Sequence, residues 1–176
     1  AVTALFLLSP LVLRALDGRD VMRMVEDRDR GTSTRASVRM DLVDRKGAAG
    51  VREIEMFGVE DAGGLKKIVV VFNAPASVRN TRYLAAENAG RDDDKWIFLP
   101  ALKRVRRIAA SEGGSSFMGS DFTYDDLSGR DIDEDEHLLL REEKEAGEDC
   151  YVVESRPRVP GKSQYGRRIS WIDKVR

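Results

Sequence analysis

The strongest constraint in this sequence is an alternation of apolar and polar residues with period two, interrupted at short intervals by turns. In "ASVRMDLVD", Val38, Met40 and Leu42 point one way, while Arg39 and Asp41 point the other. In "VREIEMFGVE", Ile54 and Met56 oppose Glu53 and Glu55. Such a pattern suits a half-buried β-strand and cannot make the stripe of a helix. "RKGAAG" and "EDAGG" read as turns. Further strands follow in "LKKIVVVFNAP", "TRYLAAEN", "DKWIFLP" and "RVRRIAA". A hairpin in "EHLLLREEKEAGEDCYVVESRP" turns at Ala146-Gly147, and "GRRISWIDKVR" is the last strand. The unbroken apolar run from Ile68 to Phe72 suits a strand covered on both faces.

These segments predict a meander of eight or nine antiparallel strands. Turns arriving about every ten residues suit a barrel or a sandwich. One helix precedes them, in "LDGRDVMRMVEDRDRG". Asp17 is a good N-cap and Asp20 lies in the first turn. Val21, Met24, Val25 and Arg28 share a face, and Gly31 is the expected stop. The long irregular stretch runs from Ser111 to about Asp135, and its "DIDEDE" reads as a solvated charge run. No linker divides the chain, so residues 16–176 are expected to form a single domain.

Residues 1–15, "AVTALFLLSPLVLRA", read differently. The apolar run from Val2 to Leu13 is too short to span a bilayer as a helix but suits the apolar region of a secretory signal, here a partial one. A buried N-terminal helix is the alternative. The signal reading, with cleavage after Ala15, implies a compartment outside the cytoplasm.

Charge and composition exclude several function classes. Lys plus Arg number 30 and Asp plus Glu 31, a balance that argues against a dedicated nucleic-acid binder. With a single cysteine, Cys150, no intramolecular disulfide forms and no cysteine-based metal site arises. His137 is the sole histidine, which rules out a multi-histidine centre. "GKS" at Gly161–Ser163 lacks the first glycine of a phosphate loop, because Arg156 stands there. Asp131, Asp133 and Asp135 have the interval of a calcium loop, but Glu136 and His137 follow where glycine is required. No catalytic constellation is visible, so neither an enzyme nor a cofactor is expected.

Two features are left to carry function. The first is the basic run "LKRVRRI", in which Arg104 and Arg106 face one side of a strand and Lys103, Val105 and Arg107 the other. Cations commonly keep an edge strand from pairing with other chains. The same arginines could meet an acidic partner or lipid headgroups, and both readings stand. The second is a cluster of large apolar residues: Trp96, Phe98, Phe117, Met118, Phe122 and Tyr124. They either complete the core or line and gate an apolar cavity, since methionine and aromatic side chains make adaptable linings.

The segment from Trp96 to Leu127 also carries a family resemblance. It reads W-x-F-L-P at Trp96–Pro100, R-R-I at Arg106–Ile108, and S-F-M-G-S-D-F-x-Y-D-D-L at Ser116–Leu127. Together with "LDGRDVMRMVEDRDRG", it resembles the periplasmic outer-membrane lipoprotein-sorting proteins, relatives of the LolA carrier. The resemblance covers nearly the whole chain after residue 15. It implies a mainly β fold: a curved antiparallel sheet forming an incomplete, half-open barrel, with an N-terminal helix and a loop or helical lid. Residues 111–135 are the candidate lid. It also implies further strands beyond Arg176, so a domain truncated at its C-terminus is expected.

The implied function is that of a periplasmic carrier of lipoprotein or lipid acyl chains, moving them toward the outer membrane without catalysis. Its partners would be an inner-membrane transporter and an outer-membrane acceptor, with no nucleic acid. Trp96, Phe98, Phe117, Met118, Phe122 and Tyr124 would be the lipid contacts. Arg104, Arg106 and Arg107 would meet a partner or headgroup. The alternative is a cell-envelope interaction module associated with an RND-type lipid exporter, using the basic edge strand.

Overall fold

The computed structural model describes residues 15–28 and 31–175. The apolar segment before Ala15, read above as a signal, lies outside the described residues. The chain divides into two compact units. One joins the chain up to Arg28 with residues 132–176, and the other spans Asp29–Asp131.

The first unit holds the one α-helix among the described residues, α1 (Gly18–Glu26). Asp17 caps it reciprocally with Asp20: the Asp17 carboxylate accepts from Asp20 N at 2.9 Å, and Asp17 N donates to the Asp20 carboxylate at 3.2 Å. Gly31 is not the stop. The helix closes at Asp27, whose N–H donates to Arg23 O at 2.8 Å. Glu26 and Asp27 place negative charge at the negative end of the helix dipole, which disfavours extension.

The helix lies against a sheet of three antiparallel strands: β7 (Asp135–Glu145), β8 (Glu148–Pro157) and β9 (Arg168–Asp173), in that order. Val21 is fully buried, whereas Met24 is 43 % exposed, so the buried stripe is narrower than the apolar spacing suggests. The approach is close. A Cβ on Gly18 would sit 2.6 Å from the backbone carbon of His137. Arg28 Nη2 reaches Asp173 O at 2.6 Å.

The acidic run is not a solvated loop throughout. Residues Ile132–Glu134 form a 3-10 turn, and Asp133 pairs with Arg19. Asp135 opens β7 almost fully buried, paired with Arg168. Its alternation with flanking residues gives no hint of this, because the partner lies 33 residues downstream.

The second unit is a six-stranded antiparallel meander in sequence order. It comprises β1 (Ser33–Val43), β2 (Ala49–Glu60), β3 (Lys66–Ala74), β4 (Arg82–Ala86), β5 (Asp94–Leu99) and β6 (Arg104–Ile108). The nine strands match the nine segments of period-two or apolar character. The fold is mainly β, with antiparallel sheets that do not close into a barrel. In β3, Val70 and Phe72 are buried, while Val69 and Val71 are half-buried on the other face.

The contact of α1 with β7 yields a test of sign. Gly18→Ala should gain something under about 1 kcal/mol from helix propensity. The clash with His137 backbone outweighs that gain, since overpacking against an unyielding neighbour costs about 1–3 kcal/mol. Urea denaturation is therefore expected to show net destabilisation; a variant more stable than the wild type would refute the close approach.

Candidate functional site

Residues paired directly across an antiparallel ladder share a face of the sheet. One face of the six-stranded sheet carries the row Met56–Val70–Tyr83–Ile97–Arg106, crossing β2 to β6. The opposite face carries Phe57–Val69–Leu84–Trp96–Arg107. The first face holds the core: Val70, Phe72, Tyr83 and Ile97 are each no more than 2 % exposed. Residues on the second face are mostly half-exposed.

What buries the first face is the irregular segment that follows β6, here termed the strap. Phe117 is 1 % exposed and Tyr124 7 %. Phe117 meets Tyr83 edge-on at 5.4 Å between ring centroids, Phe72 at 5.7 Å and Tyr124 at 5.6 Å. Met118 and Leu127 pack around this cluster. Such ring geometries add to the energy of burial itself.

The strap has little regular structure, so its backbone is satisfied by local turns. Phe117 N donates to Phe122 O at 2.7 Å, and Ser116 bridges to Thr123. Ser116 and Ser120 hydroxyls donate to Ser120 O and Phe117 O at 2.7 and 2.8 Å. Met118 and Gly119 both have positive φ, at 51° and 76°, and turn the tip. Gly113 lies close under Asp125: a Cβ there would stand 2.3 Å from the carboxylate and force that side chain to shift.

Charged groups fasten the strap to the sheet. Lys95 points from β5 onto the apolar face and is 8 % exposed; its Nζ meets Asp125 Oδ1 at 2.5 Å. Arg106 reaches Glu112 at 2.7 Å. Glu112 also accepts from Ala109 N at 2.9 Å. That backbone N–H and the Arg106 guanidinium hold the Glu112 carboxyl below the usual range. Burial pushes the Tyr83 phenol well above its ordinary value, so it stays a donor, to Tyr124 O at 3.2 Å.

The structure separates the residues singled out in the sequence. Phe117, Met118 and Tyr124 come together beneath the strap. Phe122, in the same segment, is 53 % exposed. Trp96 and Phe98 lie on the other face, because Lys95 and Ile97 take the strap side of β5. Among the basic residues, Arg104 and Arg106 share the strap face, and Arg107 turns away to pair with Asp94. Lys103 precedes the strand, in a left-handed conformation. β6 is an edge strand, exposed except at Ile108, and its charges are partly paired with neighbouring acids.

Two cations of the strap face were not singled out. Lys95 and Arg52 both lie on it, and Arg52 is signalled by parity: it stands two residues before Ile54 and four before Met56. Elsewhere, His137 is fully engaged. Its Nε2 donates to Ile132 O, an obligate acceptor, at 2.8 Å, and its Nδ1 shares a hydrogen bond with Ser155 Oγ at 2.8 Å. No group of three metal-ligating side chains converges among the described residues. Two surface depressions, of about 440 and 330 Å³, include Arg91, Asp92 and Asp93 in one case and Arg39, Glu53 and Glu55 in the other. Both are open to solvent and lined by apolar and charged residues alike, whereas the continuous apolar face of the sheet lies under the strap; that face is the candidate site.

An open antiparallel sheet with an apolar face under a strap defines a lipoprotein-carrier-like fold. A crystal structure of a LolA superfamily protein from Nitrosomonas europaea has the same fold, with a TM-score of 0.61 at 18 % identity over 92 % of this chain and 68 % of that one. A DUF1329 family protein from Desulfovibrio piger is 32 % identical, with a TM-score of 0.80, over 89 % of this chain and 67 % of its own. A domain described as an outer-membrane lipoprotein-sorting protein, from Vibrio parahaemolyticus, is also 32 % identical, with a TM-score of 0.79 over 90 % and 67 %. A family model described as an uncharacterized-protein-like family matches residues 64–176. No curated protein matches the sequence. The chain belongs to the DUF1329 family, among proteins of the outer-membrane lipoprotein-sorting type.

Burial decides which strap residues hold it down. Phe117→Ala is expected to cost about 3–5 kcal/mol in urea denaturation, and Phe122→Ala to stay within about 0.5 kcal/mol. Equal effects would mean that the strap does not pack as described.

The pH dependence follows from the depressed Glu112 carboxyl. Its folded value lies below its unfolded one, so its stabilising contribution is present above the unfolded value and is lost as pH falls through the folded value. Wild type should thus be more stable than Glu112→Gln at pH about 7, and the gap should close in acid below the usual carboxylate range of about 4. A gap that persists in acid would show that the carboxylate is not the source.

Proposed function

We propose that this protein is a periplasmic carrier that holds acyl chains of a lipoprotein or lipid against the strap-covered face and passes them toward the outer membrane. The observation that carries this reading is the apolar row across β2 to β5, covered by side chains of an irregular strap rather than by another sheet or helix of its own unit. The described relative from Vibrio parahaemolyticus supports the compartment and the class of cargo. No catalytic step and no cofactor belong to this reading. An inner-membrane transporter as donor and an outer-membrane protein as acceptor complete it, without nucleic acid.

Phe117, Met118 and Tyr124 occupy the face where the cargo would lie. An acyl chain therefore displaces them, and the strap acts as the lid. Burial of the chain contributes about 0.8 kcal/mol per methylene. Displaced strap contacts offset part of this, which keeps binding reversible enough for hand-over.

Protein purified natively, extracted with organic solvent and analysed by mass spectrometry is expected to release acyl-containing lipid. It should also change the emission of a fluorescent fatty-acid probe. An empty protein that leaves the probe unchanged would remove the carrier reading.

A further inference from the structure

Arg52 is a half-buried cation on the apolar side of the sheet that no carboxylate answers among the described residues. It lies on β2 opposite Met40, on the same face as Ile54 and Met56. Its guanidinium sits over the Phe72 ring, 5.8 Å from the centroid. Arg52 Nη1 is buried and makes no hydrogen bond, and no ion pair reaches the side chain among the described residues. Burial lowers its proton affinity, as expected of a cation held without an anion. The other cations of this face that lie nearest the strap do have partners: Lys95 has Asp125, and Arg106 has Glu112.

Buried polar groups are almost always satisfied, and one that is not calls for an explanation. The Phe72 ring face attracts the guanidinium but offers Nη1 no hydrogen-bond acceptor. An apolar residue of similar size at this position would cover Phe72 without leaving a buried donor unsatisfied. Arg52 is also placed at the border of the candidate site. The strap tip passes over it: a Cβ on Gly119 would stand 4.0 Å from Arg52 Nη2. Around it lie Met40, Ile54 and Phe72, the apolar residues that an alkyl chain would touch.

Resting on the carrier reading above, we infer that Arg52 receives the anionic head of a single-chain or multi-chain amphiphile whose alkyl part lies on the strap-covered face. The head is a carboxylate or a phosphate. Either can take the planar donor fork of a guanidinium through two parallel hydrogen bonds. Cargo would then be selected by its charge as well as by its chain. Among the cargoes the carrier reading allows, this favours an anionic lipid over the ester- and amide-linked chains of a lipoprotein, which offer only neutral carbonyls. The basic edge strand cannot share this head. Four strand spacings separate β2 from β6, about 19 Å.

The test compares a fluorescent polyene fatty acid with its methyl ester, so that chain and charge are read separately. Wild type is expected to bind the acid about tenfold more tightly than the ester, the worth of a charge-assisted hydrogen bond in a poorly solvated site. Arg52→Met should abolish that preference and leave ester binding unchanged, while Arg52→Lys keeps part of it. The urea midpoint of Arg52→Met is expected at or above the wild-type value, which separates a binding role from a packing role. Competition with a lysophospholipid bearing a phosphate monoester distinguishes the heads: the ligand that loses more affinity in Arg52→Met is the one Arg52 selects. Equal binding of acid and ester by the wild type would overturn this assignment and leave the carrier standing, as would equal weakening of both by Arg52→Met. If neither probe binds, the carrier reading fails and the assignment with it.

Discussion

The contact of Phe117 with Phe72 and Tyr83 is the one on which the second unit depends. Without it, an apolar sheet face would meet water and the strap would lose the wedge that seats it on the sheet. The strap has no helix of its own beyond short 3-10 turns. Its conformation is fixed instead by a buried aromatic wedge, by backbone bonds within a few residues, and by the close fit of Gly113 against Asp125. A wedge of this sort fills the site it covers. Access to the face is thus a matter of displacement, and the energy of the displaced rings sets how strongly a ligand must bind.

Charge on the same face works in the opposite sense to apolar burial. Lys95 and Arg106 would weaken the face if left alone, and acids of the strap answer both. These pairs are specific in place more than strong, since one partner in each is well exposed to solvent. They locate the strap over the sheet, and the wedge provides most of the energy. Arg52 stands outside this pairing, which is why it points to a ligand rather than to the fold.

Much of this was legible in the residues. The nine strands and the capped helix follow from period two, from turn chemistry and from Asp17. The stretch from Trp96 to Leu127 was enough to indicate the family, and the structure agrees. The face taken by each side chain was less legible. In "KWIFL" and "IVVVF" both parities are apolar, so alternation alone does not say whether Trp96 or Ile97 points to the core. Where only one parity is apolar, as in "VREIEMF", the face is plain, and the cation that breaks the pattern can be noticed. Asp135 shows a further kind of gap: its burial depends on Arg168, far along the chain.

Local order in this protein was therefore written in the chain, because strand period, turns and caps depend on neighbours within a few residues. The assignment of faces, the wedge of Phe117, the ion pairs of the strap and the isolation of Arg52 were settled by packing. They arise between segments many residues apart, and each depends on which surfaces meet when the sheet forms. That meeting is governed by the register of long-range pairing, to which local sequence is blind.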